Sequence, residues 1–521
     1  MPLTRRLGLQ DGFTTVTLMG AFAVGSLLVG VGFAAVDPDI GISRADQDYK
    51  QAYSAAEGGV QWYLSSLARD NGYYAQCTDV LDPNAQEQAP VNDVWDGTGP
   101  DPRIWRNLPG GDESQYTVEL LPAPGHDECD PEDQYSMVDP NGNMRLRVTG
   151  RSRGAARSIV VTLRRRNFID YIYFTHFETF DPLTYSSSGW RSWAAEHCDQ
   201  FRDDREDEYQ ERTGQDYYCD ELQFAPGDLQ RGPVHTNDSI WVCGSSTFGR
   251  TARDSIELNG PAPGYVERGS CDASPNFLGT VTHPAGQLEL PPSNVALKDI
   301  AADDYRFAGR TQIVLEGDSM QVNERNQGWQ TLPLPGNGVV YVENDGSCSV
   351  AYARVQTYNA PLACGDAWIH GSYGADLTVA ADNDVIVDGD LTGASESLLT
   401  GLIANGFVRV YHPVDHDNCA SSSANLTGSL LNPTIEAAIL SLNHSFIVDN
   451  WHCGTALGSL NVEGAIAQRY RGPVGTTGGS GYIKNYTYND RLKFREPPFF
   501  LDPVQSAWRV ARQNEQVPAH E

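Results

Sequence analysis

The uncharged run from Phe13 to Val36 sets the tightest limit on how this 521-residue chain can be organised. As an α-helix the run is about 36 Å long, and the hydrocarbon core of a bilayer is about 30 Å thick. Arg5 and Arg6 precede the run and Asp37 follows it, so the positive-inside rule places the first residues in the cytoplasm and the bulk of the chain outside. The sequence therefore predicts a transmembrane helix over 13–36 in a single-pass protein of the cell membrane.

The apolar run continues into a segment with the period of an amphipathic helix. Residues 43–70 begin with Ser43, a good N-cap residue. Their apolar stripe, at steps of three and four, consists of Tyr49, Tyr53, Ala56, Val60, Tyr63 or Leu64, and Leu67. Three interpretations compete: a cleaved secretion signal, a plain membrane anchor, and a helix that the mature protein keeps and uses. A secretion signal has an apolar core of only about 7–15 residues, which is shorter than the run from Phe13 to Val36. This length disfavours the cleaved signal.

Residues 1 to about 70 resemble a type IV prepilin. A basic leader ends at Gly12, Phe13 and Thr14 follow, and the apolar helix extends into an amphipathic half. The stretch AYSAAEGGVQWYL (52–64) is similar to the alanine- and glutamate-rich segment of the PilX-type minor pilins. The resemblance implies that a prepilin peptidase cuts after Gly12 and that Phe13 becomes the mature amino terminus. It also implies that the helix then packs against other pilins in an extracellular filament.

Two positions differ from the usual prepilin pattern. Asp11 stands where a small or basic residue is commoner. Thr17 stands where major pilins carry a glutamate that neutralises the amino terminus of the adjoining subunit. PilX-type and pseudopilin K-type proteins also tend to lack that glutamate. The resemblance therefore implies a minor component at the start or tip of a filament, not its bulk subunit.

The chain has 51 glycines and 30 prolines, which are residues that favour turns. The sequence beyond the helix is therefore typical of a β-rich protein with many turns. Alternating apolar and polar residues predict an antiparallel meander with strands at 115–121, 144–150 and 156–166. Beyond residue 167, short apolar bursts recur between glycine, asparagine and aspartate residues. Stacked strands of a β-helix-like solenoid require such spacing, and a β-sandwich would show a similar pattern.

The predicted fold class is α+β, mainly β, with a long N-terminal membrane or pilin helix, a small antiparallel sheet and a large β-helix-like domain. The predicted segments are a leader (1–12), a transmembrane helix (13–36), a pilin-like helix and β-meander (37–166), a β-helix-like domain (167–494) and a C-terminal cap (495–521). Short helices are expected at 432–443 and 504–513, the second closing an open end of the solenoid. The stretches FVRVYHP and REPPFFLDPV resemble the passenger region of uncharacterised actinobacterial pilus-associated proteins.

Ten cysteines lie outside the apolar run, and none forms a C-x-x-C pair. Tetrahedral zinc sites favour that spacing, whereas an even number of dispersed cysteines behind an export signal indicates disulfide bonds in an oxidising compartment. The sequence leaves the connectivity open. Pairing of neighbours is the simplest scheme: Cys77–Cys129, Cys198–Cys219, Cys243–Cys271, Cys348–Cys364 and Cys419–Cys453.

One short stretch carries several side chains that bind metals in other proteins. His412, Asp415, His416 and Asp417 stand within six positions of one another. The two histidines lie four residues apart, but Pro413 separates them, so no helix holds them on one face. A polar loop is the preferred interpretation, and no metal site is expected.

A second group of acidic residues also lacks the residue order of a known metal site, the EF-hand calcium loop. Four aspartates alternate along one segment: Asp382, Asp384, Asp388 and Asp390. They lack the oxygen order and sixth-position glycine of an EF-hand loop, so strand-edge aspartates are the preferred interpretation. The sequence contains no nucleophile elbow, Walker loop or dinucleotide fingerprint in a suitable context. We therefore expect no cofactor and no enzymatic activity.

The charge balance restricts the possible partners. A formal net charge of -31 repels phosphate backbones, so general nucleic-acid binding is not expected. The leading hypothesis is a minor pilin that presents a large extracellular domain for adhesion to a surface or ligand. The alternatives are a membrane-anchored or secreted β-helix enzyme acting on polysaccharide, and a pseudopilin of a type II-like secretion system.

Overall fold

The computed structural model describes most of the chain after residue 12. The described ranges are 13–70, 72–76, 104–109, 114–127, 129–130, 133, 136–139, 142–202, 218–267, 272–348, 352–504 and 508–520. For residues 13–16 and 28–43 the description covers the backbone only.

The described helices are few and the first is by far the longest. The α-helices are α1 (Phe13–Arg69), α2 (Ser188–His197) and α3 (Ala296–Ile300). The 3₁₀ helices are Tyr73–Gln76, Phe168–Asp170, Pro182–Thr184, Asp303–Tyr305, His416–Asn418 and Asp490–Lys493. Helix α2 begins with an N-cap, because the Ser187 hydroxyl accepts a hydrogen bond from the amide of Trp190.

Strands make up most of the remaining regular structure. The first group is β1 (Arg106–Asn107), β2 (Ser114–Leu121), β3 (Asn143–Ser152), β4 (Ala155–Arg165), β5 (Tyr173–Phe180), β6 (Gln223–Phe224), β7 (Leu229–Arg231), β8 (Val234–Thr236), β9 (Ile240–Val242) and β10 (Thr247–Phe248). The second group is β11 (Ser255–Glu257), β12 (Tyr265–Val266), β13 (Asn276–Phe277), β14 (Thr280–Thr282), β15 (Arg306–Ala308), β16 (Thr311–Gly317), β17 (Ser319–Glu324), β18 (Gln330–Pro333), β19 (Val339–Glu343) and β20 (Ala367–Tyr373). The third group is β21 (Leu377–Ala381), β22 (Val385–Gly393), β23 (Thr400–Ala404), β24 (Val408–Val410), β25 (Thr434–Ser441), β26 (Phe446–Val448), β27 (Ala456–Arg471), β28 (Gly481–Tyr488) and β29 (Trp508–Gln516).

The second half of α1 packs on an antiparallel sheet. This sheet has the order β1-β2-β3-β4-β29. Its strands β2 and β3 contain the segments predicted at 115–121 and 144–150, and β4 covers the segment predicted at 156–166 except for its last residue. Its apolar face packs against Val60, Tyr63 and Leu67 of α1, and these side chains are buried. From Tyr53 to Leu67 the amphipathic stripe read from residues 43–70 is therefore the face that forms this core, whereas Tyr49 is 47% exposed.

The large core belongs to a 21-stranded sheet in which most neighbours are parallel. Strands that are two apart along the chain pair in register, as in β21 with β23 and β23 with β25. One row of buried apolar side chains crosses the pairs in the order Val340, Val379, Leu402, Ile439, Ile466 and Tyr173. Buried parallel strands have near-continuous apolar sequences, and β21, β23 and β25 fit this rule.

The predicted fold class is wrong and is corrected by two findings. First, among the described residues no helix is long and apolar enough to cross a membrane, so the predicted membrane helix is not supported. Second, the strands do not stack in chain order from one end to the other. The late strands β27 and β28 pair with the early strands β5 and β7, and β16, β17 and β18 form an antiparallel meander inside the same sheet. The described chain is mostly β, built on a large mixed sheet in place of the predicted solenoid.

Two shorter predictions are also wrong. The helix expected at 432–443 is strand β25, which has parallel neighbours β23 and β27 on its two sides. The helix expected at 504–513 is largely strand β29, which pairs with β4 in the antiparallel sheet. Strand β29 therefore adds an edge strand to that sheet. The predicted segment boundaries, including those of the C-terminal cap (495–521), stay predictions.

Candidate functional site

The start of α1 presents an apolar surface that nothing in the described chain covers. Large apolar side chains there are between 58% and 73% exposed: Leu18, Met19, Phe22, Val24 and Leu27. Further along the same helix, Ala55, Val60 and Tyr63 are buried against the antiparallel sheet. One end of α1 thus packs within the protein, and the other end is available to a partner.

The predicted cleavage site lies at the edge of the described chain. Gly12 lies outside the described residues, and Phe13 is the first residue of α1. Cleavage after Gly12 stays a prediction. The departures Asp11 and Thr17 flank it, and of these Thr17 is described, as an exposed residue of α1.

The described cysteines are all in disulfide bonds. Three of the predicted pairs are present, Cys198–Cys219, Cys348–Cys364 and Cys419–Cys453, with S–S distances of 2.02, 2.06 and 1.97 Å. Cys129 and Cys243 are also disulfide-bonded. Cys77 and Cys271, their predicted partners, lie outside the described residues. The presence of these bonds agrees with the oxidising compartment that cysteine spacing predicts.

The side chains of the histidine-rich stretch 412–417 do not come together around one point. His412 is buried and its ring nitrogens lie 3.1 Å from the Asp449 carbonyl oxygen and 3.1 Å from Asn425 Oδ1. His416 is exposed beside Asp417, and Asp415 caps a 3₁₀ helix. Burial lowers the pKa of His412, and its ring serves as a hydrogen-bonding group of the core.

Among the described residues, the one His/Cys/Asp/Glu group with metal-binding proximity is Cys419, His452 and Cys453. The two cysteines form a disulfide bond. Metals bind cysteine as the thiolate, which a disulfide does not offer. This group therefore serves as a cross-link.

The four alternating aspartates have four different environments. Asp382 accepts hydrogen bonds from the Tyr341 hydroxyl (2.5 Å) and the Asn344 amide (2.9 Å). Asp388 lies 2.8 Å from His370 Nδ1. Asp390 accepts a hydrogen bond from the amide of Thr434, and Asp384 belongs to a buried ion-pair network described next. They do not form a calcium site.

A buried arginine organises the network around Asp384. Arg409 donates to both carboxylate oxygens of Asp449, each at 2.9 Å, and to Asp384 Oδ2 at 3.0 Å. The other oxygen of Asp384 accepts from the Phe407 amide at 2.9 Å. Burial, and next the carboxylate of Asp384, raises the pKa of Asp366 to about 6. The carboxyl groups of Asp366, Asp384 and Asp449 thus lie near one guanidinium. That guanidinium is already hydrogen-bonded to Asp384 and Asp449.

This network forms one wall of a cavity of about 250 Å³. The turns that join β21 to β22, β23 to β24, and β25 to β26 lie directly above one another. Together these three turns form the rim of the cavity. The lining residues used below are Asp366, Asp382, Asp384, Asn383, Asn405, Asn443, His444, Arg409, Leu183, Tyr352, Ala360 and Phe407. We refer to this space as the turn cavity.

His444 enters the turn cavity in a defined orientation. Its Nδ1 lies 2.9 Å from Asp181 Oδ2, and its ring stacks on Phe407 with centroids 4.4 Å apart. Burial lowers the pKa of His444, but the charge and hydrogen bond of Asp181 together with the charge of Asp384 raise it, and the net effect is a pKa above the usual value for histidine. The ring is therefore held on two sides.

Sequence reasoning missed most of this site. Among the lining residues of the turn cavity, Asp382 and Asp384 are the ones weighed as ligands in the sequence analysis, which preferred strand-edge aspartates to a calcium site. Arg409 lies 40 positions from Asp449, and His444 lies 263 positions from Asp181. No local spacing brings such residues together. The single usable signal was the repeated asparagine before a buried strand, at Asn383, Asn405 and Asn443.

Comparisons with known proteins assign no family. No family model matches the chain, and no curated protein is similar to it. Among solved structures, the competence-associated pilin ComZ from Thermus thermophilus is 13% identical, with 91% of this chain and 98% of that chain covered and a TM-score of 0.26. A TM-score of this size does not show a shared fold. The PilX-type resemblance is therefore not confirmed.

Proposed function

We propose that this protein is a non-enzymatic, pilus-associated subunit of the minor pilin kind, which assembles through the start of α1 and presents its β-rich part outside. The observation that carries the proposal is the exposed apolar surface at the start of α1. Monomeric proteins rarely expose contiguous apolar patches without an interaction partner. The prepilin-like order of residues around Gly12 and Phe13 supports the same assignment.

Burial of the exposed apolar side chains of α1 by a partner would stabilise the resulting complex. Burial of one large apolar side chain stabilises by roughly 1.5–3 kcal/mol. The five exposed apolar side chains of α1 would together gain on the order of 10 kcal/mol before the cost of association. This gain is enough to drive assembly with another apolar surface.

Apolar helices of other pilin subunits are the partner that fits this surface best. The run from Phe13 to Val36 has no charged residue, so a charged partner surface would lose its hydration without gaining an ion pair. A Cβ atom added at Gly20 or Gly25 would meet nothing within 4 Å. These two positions therefore leave room for the backbone of a second helix to approach closely.

Chemical features of the turn cavity favour a non-enzymatic role. Hydrolysis of a glycoside uses one carboxyl group as acid and a second as base or nucleophile. Both oxygens of Asp384 and both oxygens of Asp449 accept hydrogen bonds within the protein. Asp382 is likewise engaged through both oxygens. These carboxylates serve the structure, so among the described residues that line the turn cavity Asp366 has no second carboxylate free to act with it.

Replacement of an exposed apolar residue of α1 should remove the protein from filaments. For Phe22→Asp we expect at least a tenfold loss from the filament fraction sheared off cells, because a charge would enter an apolar helix interface. The measurement is an immunoblot of sheared filaments against whole cells. Leu431→Asp is the matched control, because Leu431 is 71% exposed on the β-rich part. Equal incorporation of Phe22→Asp and wild type would refute assembly through α1.

The cleavage prediction has its own test. Gly12→Leu should leave the precursor uncut, because the peptidase of the resembled family cuts after this glycine. The intact mass and first residue of the protein from cells give the answer, with Phe13 expected as the first residue of wild type. Gly25→Leu serves as the control, because a side chain there meets nothing within 4 Å. A mature amino terminus unchanged by Gly12→Leu would contradict the prepilin interpretation.

A further inference from the structure

We propose that the turn cavity is a binding site for a neutral sugar unit, such as one hexose of an extracellular glycan. The site is built from the turns before β22, β24 and β26 and from Leu183. It lies in the large sheet, away from the start of α1. The inference goes beyond the filament role and does not depend on it, because sugar binding requires only the β-rich part.

The polar side chains of the turn cavity are oriented yet keep free hydrogen-bonding atoms. Asn405 Oδ1 accepts from the Asn294 amide at 2.9 Å, and Asn443 Nδ2 donates to the Asn405 carbonyl at 2.9 Å. His444 is held through Nδ1 by Asp181. Within the described part of the chain, no protein atom pairs with Asn405 Nδ2, Asn443 Oδ1 or His444 Nε2. Each of these side chains is fixed by one hydrogen bond and can form a second hydrogen bond with a ligand. A pre-organised polar site requires such side chains.

The mixture of donors and acceptors matches hydroxyl groups. A hydroxyl donates one hydrogen bond and accepts others. Carboxylates such as that of Asp366 accept from hydroxyls, whereas the amide group of Asn405 donates to them. Neighbouring hydroxyls on a sugar ring offer both roles at short intervals, so a sugar can satisfy both kinds of group together.

The charges in the turn cavity exclude an anionic ligand. Asp366, Asp382 and Asp384 line it together with Arg409. The Arg409 guanidinium is already bound to Asp384 and Asp449. The other basic side chain of the described lining, His444, is paired with Asp181. A uronate or phosphate would therefore meet an excess of carboxylates. A neutral sugar avoids this repulsion.

The size and walls of the turn cavity fit a single ring. A volume of about 250 Å³ is the share of roughly eight liquid waters. This volume suits one small molecule of about a dozen non-hydrogen atoms at protein packing density. Leu183, Tyr352 and Phe407 add apolar atoms to the lining. The C–H faces of a hexose can pack on such atoms while its hydroxyls reach the polar turns.

The test uses the purified full-length chain and defined probes. D-glucose, D-galactose and D-mannose are titrated separately, with D-glucuronate as the anionic comparison, and binding is followed by saturation-transfer NMR. At least one hexose is expected to bind with a dissociation constant on the order of 1 mM, and D-glucuronate at least tenfold more weakly. No binding of any of the three hexoses, or equal binding of D-glucuronate, would overturn the proposal.

Two variants separate the site from the fold. Asn443→Ala removes an exposed amide of the rim and should weaken hexose binding about fivefold. Ala360→Trp fills the turn cavity and should abolish binding. Asn276→Ala, an exposed asparagine outside the turn cavity, should bind as wild type, and thermal melting checks that all three fold. Wild-type affinity in both cavity variants would refute the assignment. Normal filament incorporation of the same variants would show that the two proposals stand separately.

Discussion

Arg409→Met is expected to destabilise the protein by about 3–5 kcal/mol, because it leaves two carboxylates buried without their cation. Asp449 is fully buried, and Arg409 supplies hydrogen bonds to both of its oxygens. Asp384 would keep only its bond from the Phe407 amide. Chemical denaturation of the purified protein, with the transition followed by tryptophan fluorescence, gives the change in the free energy of unfolding.

The loss should also depend on pH in a defined direction. Burial raises the pKa of Asp449, and Arg409 lowers it. Removal of Arg409 therefore moves the folded-state pKa further above the unfolded value. A group with a raised folded-state pKa binds more protons when folded, so stability falls as pH rises between the two pKa values. The stability deficit of Arg409→Met should thus be larger at pH 8 than at pH 5.

The matched control for this prediction is Arg491→Met. Arg491 pairs at 3.5 Å with Glu396, and both side chains are exposed to solvent. Exposed ion pairs contribute little, so the change should stay within about 0.5 kcal/mol. If Arg409→Met were as mild as this control, or if its deficit shrank with rising pH, the buried network would not have the role assigned to it.

Gly150→Val is expected to cost about 3 kcal/mol or more, because α1 lies directly on this glycine. A Cβ atom at position 150 would overlap the carbonyl oxygen of Ala52 and lie 2.5 Å from the amide nitrogen of Ala56. Both clashes are with helix backbone, so no side-chain rotation relieves them and the helix must move. Denaturation followed by tryptophan fluorescence, to which Trp62 at this interface contributes, gives the effect.

Gly336→Val is the control for the helix contact. A Cβ atom added at Gly336 would meet nothing within 4 Å, and substitutions at such surface positions usually change stability by less than about 0.5 kcal/mol. A Gly150→Val protein as stable as this control would show that α1 does not rest on β3 as described. The small residues of AYSAAEGG, notably Ala52, Ala55 and Ala56, are thus explained by close approach of helix and sheet.

Predictions from the sequence succeeded where one local pattern decided the outcome. The steps of three and four in residues 43–70 identified a helix and the face that it buries, because only one face of a helix repeats at that interval. Alternation at 144–150 identified β3 for the corresponding reason. Short separations along the chain also favoured the pairs Cys198–Cys219 and Cys348–Cys364, which the structure contains.

The failures share a physical cause, which is competition from distant strands. Ile435 and Ile439 lie at helical spacing, yet the segment is strand β25, because β23 and β27 supply parallel hydrogen-bonding partners on both sides. The segment around Trp508 was expected to be helical, but the edge of β4 was available to pair with it. Propensity is a weak preference that such tertiary pairing overrides.

The sequence alone determined the uncharged run after Gly12, the amphipathic stripe of α1 and the disulfide-based chemistry, since each depends on residues close together in the chain. Only the tertiary structure decided the chain order of the large sheet and the turn cavity. Arg409 with Asp449, and His444 with Asp181, come together through strand pairing across 40 and 263 positions. Contacts of that range follow from which strands become neighbours, and no local spacing encodes that choice.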